Sequence, residues 1–505
     1  MPLKVGHVPD DGRTEFDETP PEASAFMGSI RASGYDLETA VADIVDNSIS
    51  AGARNVRITV SAEGRGSWLA ILDDGCGMDE TALIRAMTLG GISPAALREP
   101  QDLGRFGLGL KTASLSQCRR LTVFSKAVNH KTCVRCWDID FVDQTNRWAL
   151  LRSCHSPQLE ERFRQELQRL ASGTIVLWEV LDHITHNGTD AEIALRLSQR
   201  VPVLDRHLAM VFHRFLEEPN GLRIRIGDLA VAPYDPFMRK EKATQMLGEE
   251  TLEYQGQRIL VRPYVLPHMS KLTDSDQAVG KGARRWTDQQ GFYVYRNRRL
   301  LVSGSWLRLG FGKEEHNKLV RIQLDFPNQL DFEWDIDIRK ARAEPPDALR
   351  QDLIRIAKRA REVSRAIFHH RGASIARQFS DHIFLWQKKV AHNKVSYQIN
   401  RSHPAVKAAL AAAKSARISE TISALFRLIE QTIPVPLILI DGSEQPDAIA
   451  QPTHANAEVR EFFVALHSTL CQAGQTPREA FEHLAMTEPF HRYPEMLATL
   501  QESLS

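Results

Sequence analysis

No stretch of this sequence approaches the roughly 18 consecutive apolar residues that a membrane-spanning helix needs, so no membrane partner is expected. The opening, MPLKVGHVPDDGRTEFDETPPEAS, is polar and proline-containing, with no apolar segment of the kind a secretory signal carries. Cysteine is scarce: 6 in 505 residues do not make a disulfide framework. A cytoplasmic location is the expectation. Charge of one sign is also lacking. The net charge is +1, so any attraction to nucleic acid must come from local basic groups. Repeats and sustained heptads are absent. What remains is ordinary soluble composition, 43% apolar and 25% charged, over a length that holds two to four cores.

Along the chain, residues 1–24 read as a flexible arm. Residues 25–190 mix helical and strand signals with glycine-rich turns: SWLAILDDGCGM, RRLTVFSKAV, KTCVRCWDIDFV and GTIVLWEVL are strand-like. A helix follows from about residue 191. A second block of strands then runs through LRIRIGDLAVAPYDPF, QRILVRPYVLP, QGFYVYRNRRLLVSG and HNKLVRIQLDFP. Pro346 and Asp347 open a further helix, which ends that block at about residue 371. Residues 372–505 read as mainly helical.

Four segments carry chemistry. In AVADIVDNSISAGA, residues 40–53, Val41, Ile44, Val45 and Ser48 share one helical face, while Asp43, Asp46, Asn47 and Ser50 share another. Gly52 suits a left-handed helix end. The acidic face is either solvated or turned toward a metal and a phosphate. In LDDGCGM, Asp73 ends an apolar strand, and Gly75, Gly77 and Met78 follow; a carboxylate there can accept from an amine while the glycines let a flat ring approach the backbone. In LGRFGLGLKTAS, Gly104, Gly107 and Gly109, with Leu108, Leu110, Lys111 and Thr112, have the spacing of a backbone cradle for phosphate. It follows a helix and a loop, which excludes the Rossmann pattern, and the Walker A spacing is absent. Finally, Gly173 and Thr174 start a strand. The pair Cys133 and Cys136 has C-x-x-C spacing but no second pair to complete a zinc site, and reads as part of a strand.

In this order, the four segments resemble the GHKL ATPases, the superfamily of gyrase B, Hsp90, MutL and the MORC proteins, with GLGLKTAS most similar to bacterial MORC-like proteins. The resemblance implies an α+β fold: a Bergerat α/β sandwich ATPase domain over residues 25–190, an S5-like transducer with linker helices over 191–371, and a helical C-terminal domain over 372–505. It implies ATP and Mg2+ as cofactors. Asn47 would hold Mg2+, and Asp73, with Gly75, Gly77, Met78 and Thr174, would take the adenine. Gly104, Gly107, Leu108, Gly109, Leu110, Lys111 and Thr112 would wrap the phosphates. Asp43 stands where the family usually has a glutamate that activates water, one methylene longer. Asp46 reads as support for the helix. In FEWDIDIRKARAEPP, Lys340 would reach the γ-phosphate, with Arg339 and Arg342 as rivals.

The resemblance further implies an ATP-dependent homodimer acting as a clamp on duplex DNA, largely independent of sequence, in anti-phage defence, restriction or repair beside a separate nuclease or other defence partner. The basic candidates for DNA are Lys281, Arg284 and Arg285 beside Trp286; Arg296, Arg298 and Arg299; and Arg350, Arg355, Lys358, Arg359, Arg361, Arg365 and Arg371 on one helix. The alternative is an ATP-sensing adaptor or chaperone-like module that assembles protein partners through the helical tail and PVPLILI. A histidine kinase fits less well, because its phosphoacceptor helices should precede the ATP domain. A topoisomerase subunit would need its cleavage tyrosine in another chain.

Overall fold

The computed structural model describes residues 21–32, 34–90, 109–273, 285–336 and 343–378, then 385–391, 394–411, 415–433, 456–472, 474–487 and 493–504, with a few single positions besides. Most of the expected arm (1–24), the residues Gly104, Gly107, Leu108, Lys281, Arg284, Arg339, Lys340 and Arg342, and the stretch PVPLILI lie outside the described residues. The chain forms two compact units, residues 1–368 and 369–505. The architecture is α+β, as expected. No helix among the described residues is long and apolar enough to cross a membrane.

The first unit opens with α1 (Ala23–Arg31) and α2 (Leu37–Ser50). Asp36 caps α2 by accepting from the Thr39 N–H at 2.7 Å. Gly52 closes the helix end in the left-handed region, at φ +75°. Then come β1 (Asn55–Ser61), β2 (Trp68–Asp73), α3 (Glu80–Met87), α4 (Gly109–Gln117), β3 (Arg120–Lys126), β4 (Cys133–Asp138), α5 (Ile139–Thr145), α6 (Pro157–Gln168), β5 (Gly173–Glu179), α7 (Asp182–Thr185), α8 (Asp190–Val211), α9 (His213–Leu216), β6 (Arg223–Ile226) and β7 (Leu229–Ala230). The sheet order is β4-β3-β5-β2-β1-β6-β7.

Both faces of this sheet are covered, which is why β2 and β5 read as continuous apolar runs rather than alternating ones. Leu69, Ile71, Val176 and Trp178 turn to one face, against Val41, Ile44 and Val45 of α2 and Leu197, Leu204 and Leu208 of α8. Trp68, Ala70, Ile175 and Leu177 turn to the other, against Phe163 and Leu167 of α6.

One expected boundary moves. The reading that closes the first domain at residue 190 is corrected by the sheet itself. Strand β6 lies parallel to β1, with Ile58 opposite Ile226, and α8 supplies part of the same core. The first layer therefore runs to about Val231. A hairpin such as LRIRIGDLAV pairs within itself, and nothing local specifies which sheet it joins.

The second sheet contains β8 (Gln245–Met246), β9 (Glu250–Tyr254), β10 (Gln257–Val265), β11 (Gly291–Arg296), β12 (Arg299–Ser305) and β13 (Val320–Phe326). Its order is β12-β11-β13-β10-β8, with β9 on β10, and β11 runs parallel to β13. Asn297 and Arg298 turn from β11 to β12 with φ of 46° and 73°, the positive pair that a two-residue hairpin turn requires. Helix α10 (Asp347–Gln378) lays Leu349, Leu353, Ile356, Ala357 and Ala360 on Ile322, Leu324 and Trp334.

The second unit is not helical throughout. A hairpin, β14 (Trp386–Ala391) and β15 (Lys394–Ile399), precedes α11 (Pro404–Ala411), α12 (Ala416–Gln431), α13 (Asn456–Gln472), α14 (Pro477–Ala485) and α15 (Pro494–Leu504). Strand β15, KVSYQI, alternates with Val395, Tyr397 and Ile399 at every second position, but it is six residues long and its partner WQKKVA carries two lysines in its middle. Phe463, Leu466, Leu484, Phe490 and Leu500 form this unit's core.

Leu353 is fully buried where α10 meets the second sheet. Replacing it with Ala removes buried methyl groups and leaves a cavity, so Leu353→Ala is expected to cost about 2–5 kcal/mol. Chemical denaturation followed by hydrogen exchange on β11 and β13 checks this.

Candidate functional site

The two acids on the polar face of α2 are not solvated. Asp43 is 2% exposed and Asp46 is 1% exposed, whereas Asn47, beside them, is exposed. Buried carboxylates need partners, and these come from two places. The Tyr35 hydroxyl donates to Asp43 Oδ2 at 3.1 Å. Arg299, at the start of β12, donates from Nε to both Asp46 oxygens at 3.2 and 3.1 Å, and its Nη2 lies 3.9 Å from Asp43 Oδ1.

One residue further along the same helix, Ser48 faces the core, as its place among the apolar residues implies. Its hydroxyl donates to Asp73 Oδ2 at 2.9 Å. The Gly75 N–H donates to Asp73 Oδ1, also at 2.9 Å. Asp73 ends β2 opposite Thr174 of β5. Burial raises the Asp73 carboxyl above its usual range, against the lowering effect of these hydrogen bonds. A carboxylate oxygen accepts more than one hydrogen bond, so Asp73 retains capacity for an amine.

The remaining members of this pocket are tied to it. Thr174 Oγ1 and Ser125 Oγ are 2.8 Å apart, and Ser125 Oγ accepts from the Met78 N–H at 2.9 Å. The Gly75 carbonyl accepts from the Ser172 hydroxyl at 2.7 Å. Gly77 sits at φ +63°, and a Cβ there would fall 2.0 Å from the Lys126 carbonyl oxygen, so only glycine fits. The structure thus gathers Asp73, Gly75, Gly77, Met78 and Thr174 around one strand end.

Gly109 opens α4 next to Asp43: a Cβ added there would lie 3.7 Å from Asp43 Oδ2. Leu110 packs against the core and Thr112 is half-buried. Lys111 departs from its expected place in the phosphate wrap. It is buried, and its ammonium donates to the Ala86 and Thr88 carbonyls at 2.9 Å each, holding the end of α3. Carbonyls left open at a helix end attract a cation, and burial lowers Lys111 to about 8.

The described residues suit Mg2+ through Asn47: its amide oxygen is a hard donor, exposed, one helical turn from Asp43. Mg2+ needs few protein ligands when phosphates and waters complete its shell. The cysteine pair is not such a site. Three residues apart on β4, the thiols point to opposite faces. Cys133 donates to the Ser125 carbonyl, and burial pushes Cys136 up to about 12, away from the thiolate that zinc requires. His213, Glu217 and Asp235 lie close enough together for a metal, but Arg239 bonds both acids and the His213 ring meets Tyr295 at 2.8 Å.

The basic candidates are corrected in part. Arg299 and Arg296 are buried, the latter on Asp331 at 2.6 Å. Arg298 pairs with Glu218. Arg361 pairs with Glu314 at 2.8 Å and covers the Phe311 ring at 4.5 Å. Arg355 and Arg365 pair with Glu250 and Glu314. Arg285, Lys358 and Arg359 are exposed. Acids distant in sequence pair with Arg296, Arg298, Arg299, Arg355, Arg361 and Arg365, and spacing along the chain does not reveal them.

Sequence reasoning passed over Tyr35 and Ser125, placed Ser48 only on the apolar face of the helix, and gave Arg299 only as a basic candidate for DNA. Ser48 alone carried a local signal, a hydroxyl among apolar neighbours. Tyr35→Phe removes the Asp43 partner without removing the ring. It is expected to slow any turnover that uses Asp43 by about tenfold, the worth of one hydrogen bond to a charged group, with nucleotide affinity unchanged; steady-state kinetics with parallel ADP titration checks this. A second expectation concerns pH. Between about 8 and the ordinary lysine value of 10.5, the unfolded chain holds the Lys111 proton that the folded chain releases. Stability from this group therefore rises with pH across that window. Lys111→Met should flatten that part of the melting-temperature profile.

Residues 35–174 match the family described as histidine kinase-, DNA gyrase B-, and HSP90-like ATPase. Over 102 residues the chain is 34% identical to the protein named ATPase MORC2B of Mus musculus. That match covers 19% of this chain and 10% of the mouse protein, so the chain spans about a tenth of the relative's length. The family match over residues 35–174 contains Tyr35, Asp43, Asn47, Asp73, Gly77, Gly109 and Thr174. Residues 35–174 thus match the GHKL superfamily of ATPases, and part of the chain is similar to a MORC protein.

Proposed function

We propose that the first unit binds Mg2+–ATP and hydrolyses it to ADP and phosphate, working as a switch. One observation carries this reading. A single helix, α2, supplies Asp43, Asn47 and the Ser48 that holds Asp73, so base, metal donor and adenine acceptor are set by one rigid element. Asp43 accepts the proton of the attacking water, Asn47 offers the metal its oxygen, and Asp73 accepts from the adenine amine. The start of α4, beside Asp43, turns backbone N–H groups and its helix dipole toward the phosphates. When bound, Mg2+ neutralises phosphate charge. The work of these residues is positioning and charge complementarity.

The second sheet with α10 acts as the S5-like transducer of this switch, and Lys340 is the proposed γ-phosphate contact. ATP-dependent homodimerisation would close the molecule as a clamp on duplex DNA. Exposed Arg285, Lys358 and Arg359 support phosphate contact, together with Lys281 and Arg284. A role in anti-phage defence, restriction or repair beside a separate nuclease rests on the family resemblance.

A second reading has its own observation. Helix α12 exposes Ile418, Leu425, Leu428 and Ile429, a row at helical spacing that suits an apolar protein partner. It supports an ATP-sensing adaptor.

ATP hydrolysis, measured with and without long duplex DNA at low and moderate salt, separates the two. The clamp predicts turnover that rises with DNA, less so at higher salt, and that is lost in Asn47→Ala. Asp43→Asn should fall by about 10²–10⁴-fold, the usual contribution of a general base. Turnover indifferent to DNA favours the adaptor. A wild type that binds no nucleotide contradicts both.

A further inference from the structure

The pairing of Arg299 with α2 crosses 253 positions of sequence. It joins a hairpin of the second sheet to the helix that carries the base. Arg299 is 3% exposed, and its two carboxylate neighbours are as deeply buried. The guanidinium is fixed on several sides. Nε holds both oxygens of Asp46, Nη1 donates to the Leu300 carbonyl at 3.0 Å, and Nη2 lies 3.9 Å from Asp43. The backbone beneath it is fixed too, because Asn297 and Arg298 make the tight turn that starts β12. Its side of the sheet is braced by the Arg214 guanidinium, which pairs with Asp325 of β13 and lies 3.6 Å from the Tyr295 ring centre.

Asp43 and Asp46 are three residues apart on one helical face, and Asn47 follows directly. A planar fork that grips Asp46 and lies beside Asp43 therefore fixes the rotation of α2 about its axis at the turn where base and metal donor meet. On the other side of the carboxylate, the Tyr35 hydroxyl limits where Asp43 can go. Asp73 and the adenine pocket are held separately, by Ser48, Gly75, Ser125 and Thr174. Base recognition and water activation thus have different supports.

Resting on the ATPase reading above, we propose that Arg299 is a positioning residue for hydrolysis: through Asp46 it sets the Asp43 carboxylate, and it makes turnover, rather than nucleotide binding, depend on the second sheet. A shift of the β11–β12 hairpin carries the guanidinium with it and misplaces the base. In this arrangement the shorter Asp43, where the family usually has glutamate, is held to its task by the Tyr35 hydroxyl and the neighbouring Arg299 charge instead of by reach.

The experiment measures kcat, KM for ATP and ADP affinity for wild type, Arg299→Gln, Arg299→Lys, Asp46→Asn and the double variant Arg299→Gln/Asp46→Asn, with circular dichroism melts alongside. Misplacing a reacting group by about 1 Å costs on the order of 10²-fold, and a kcat loss of that size in Arg299→Gln, with KM and ADP affinity unchanged, is expected. Arg299→Lys restores part of the loss, because charge returns without the fork. The double variant is no slower than the slower single variant, since the two residues act as one unit. Losses that multiply in the double variant overturn the proposal. So does a fall in ADP affinity that matches the fall in kcat, which marks a purely structural pair. If Arg299→Gln does not fold, Asp46→Asn carries the same comparison from the other side, and unchanged kcat there overturns the proposal. A wild type that binds ADP but never turns ATP over overturns the hydrolysis reading and this inference with it, whereas an active wild type with an indifferent Arg299→Gln overturns the inference alone.

Discussion

Two carboxylates buried on one helix face are the constraint on which the rest of this structure turns. An ionised side chain taken out of water is costly unless paired and hydrogen-bonded. Asp43 and Asp46 cannot be sheltered by α2 itself. Tyr35 must come from the segment before the helix, and Arg299 must come from the second sheet. The second layer therefore packs where it does partly because its hairpin completes the electrostatics of the first. Where α2 has no acid it is an ordinary amphipathic helix, with Val41, Ile44 and Val45 seated on β1, β2 and β5.

The same economy holds at the end of β2. Asp73 is the end residue of a buried strand, and burial alone would disfavour its charge. Ser48 and Gly75 meet it, Thr174 stands across the strand, and Gly77 gives up its side chain so that the chain can pass within contact of Lys126. The site is assembled from β2, β5 and α2, and each contributes a group that its own burial pattern leaves pointing at one end of the sheet. Lys111 shows the opposite outcome: the glycine segment delivers a lysine, and α3 captures it with two carbonyls.

Much of this was legible in the sequence, for a physical reason. Glycines with fixed spacing, an Asp at a strand end and an Asp–Asn pair one turn apart are local patterns, and local patterns survive without knowledge of the fold. Strands buried on both faces also announced themselves as apolar runs. What could not be read was long-range pairing. Arg296, Arg299 and Arg361 look like any basic residues until Asp331, Asp46 and Glu314 are brought to them. Likewise, the hairpin β6–β7 has the alternation of a strand pair, but only the parallel register against β1 assigns it to the first sheet. Tyr35 fell outside the helix that was read, and its role depends on a side chain reaching back over two turns of α2.

The most direct test of the account is a crystal structure with Mg2+ and a non-hydrolysable ATP analogue. The account predicts the adenine amine on Asp73, the metal on Asn47 and a water within hydrogen-bond reach of Asp43, with the Arg299–Asp46 pair intact. An analogue bound away from Asp73, or a metal held without Asn47, would contradict it.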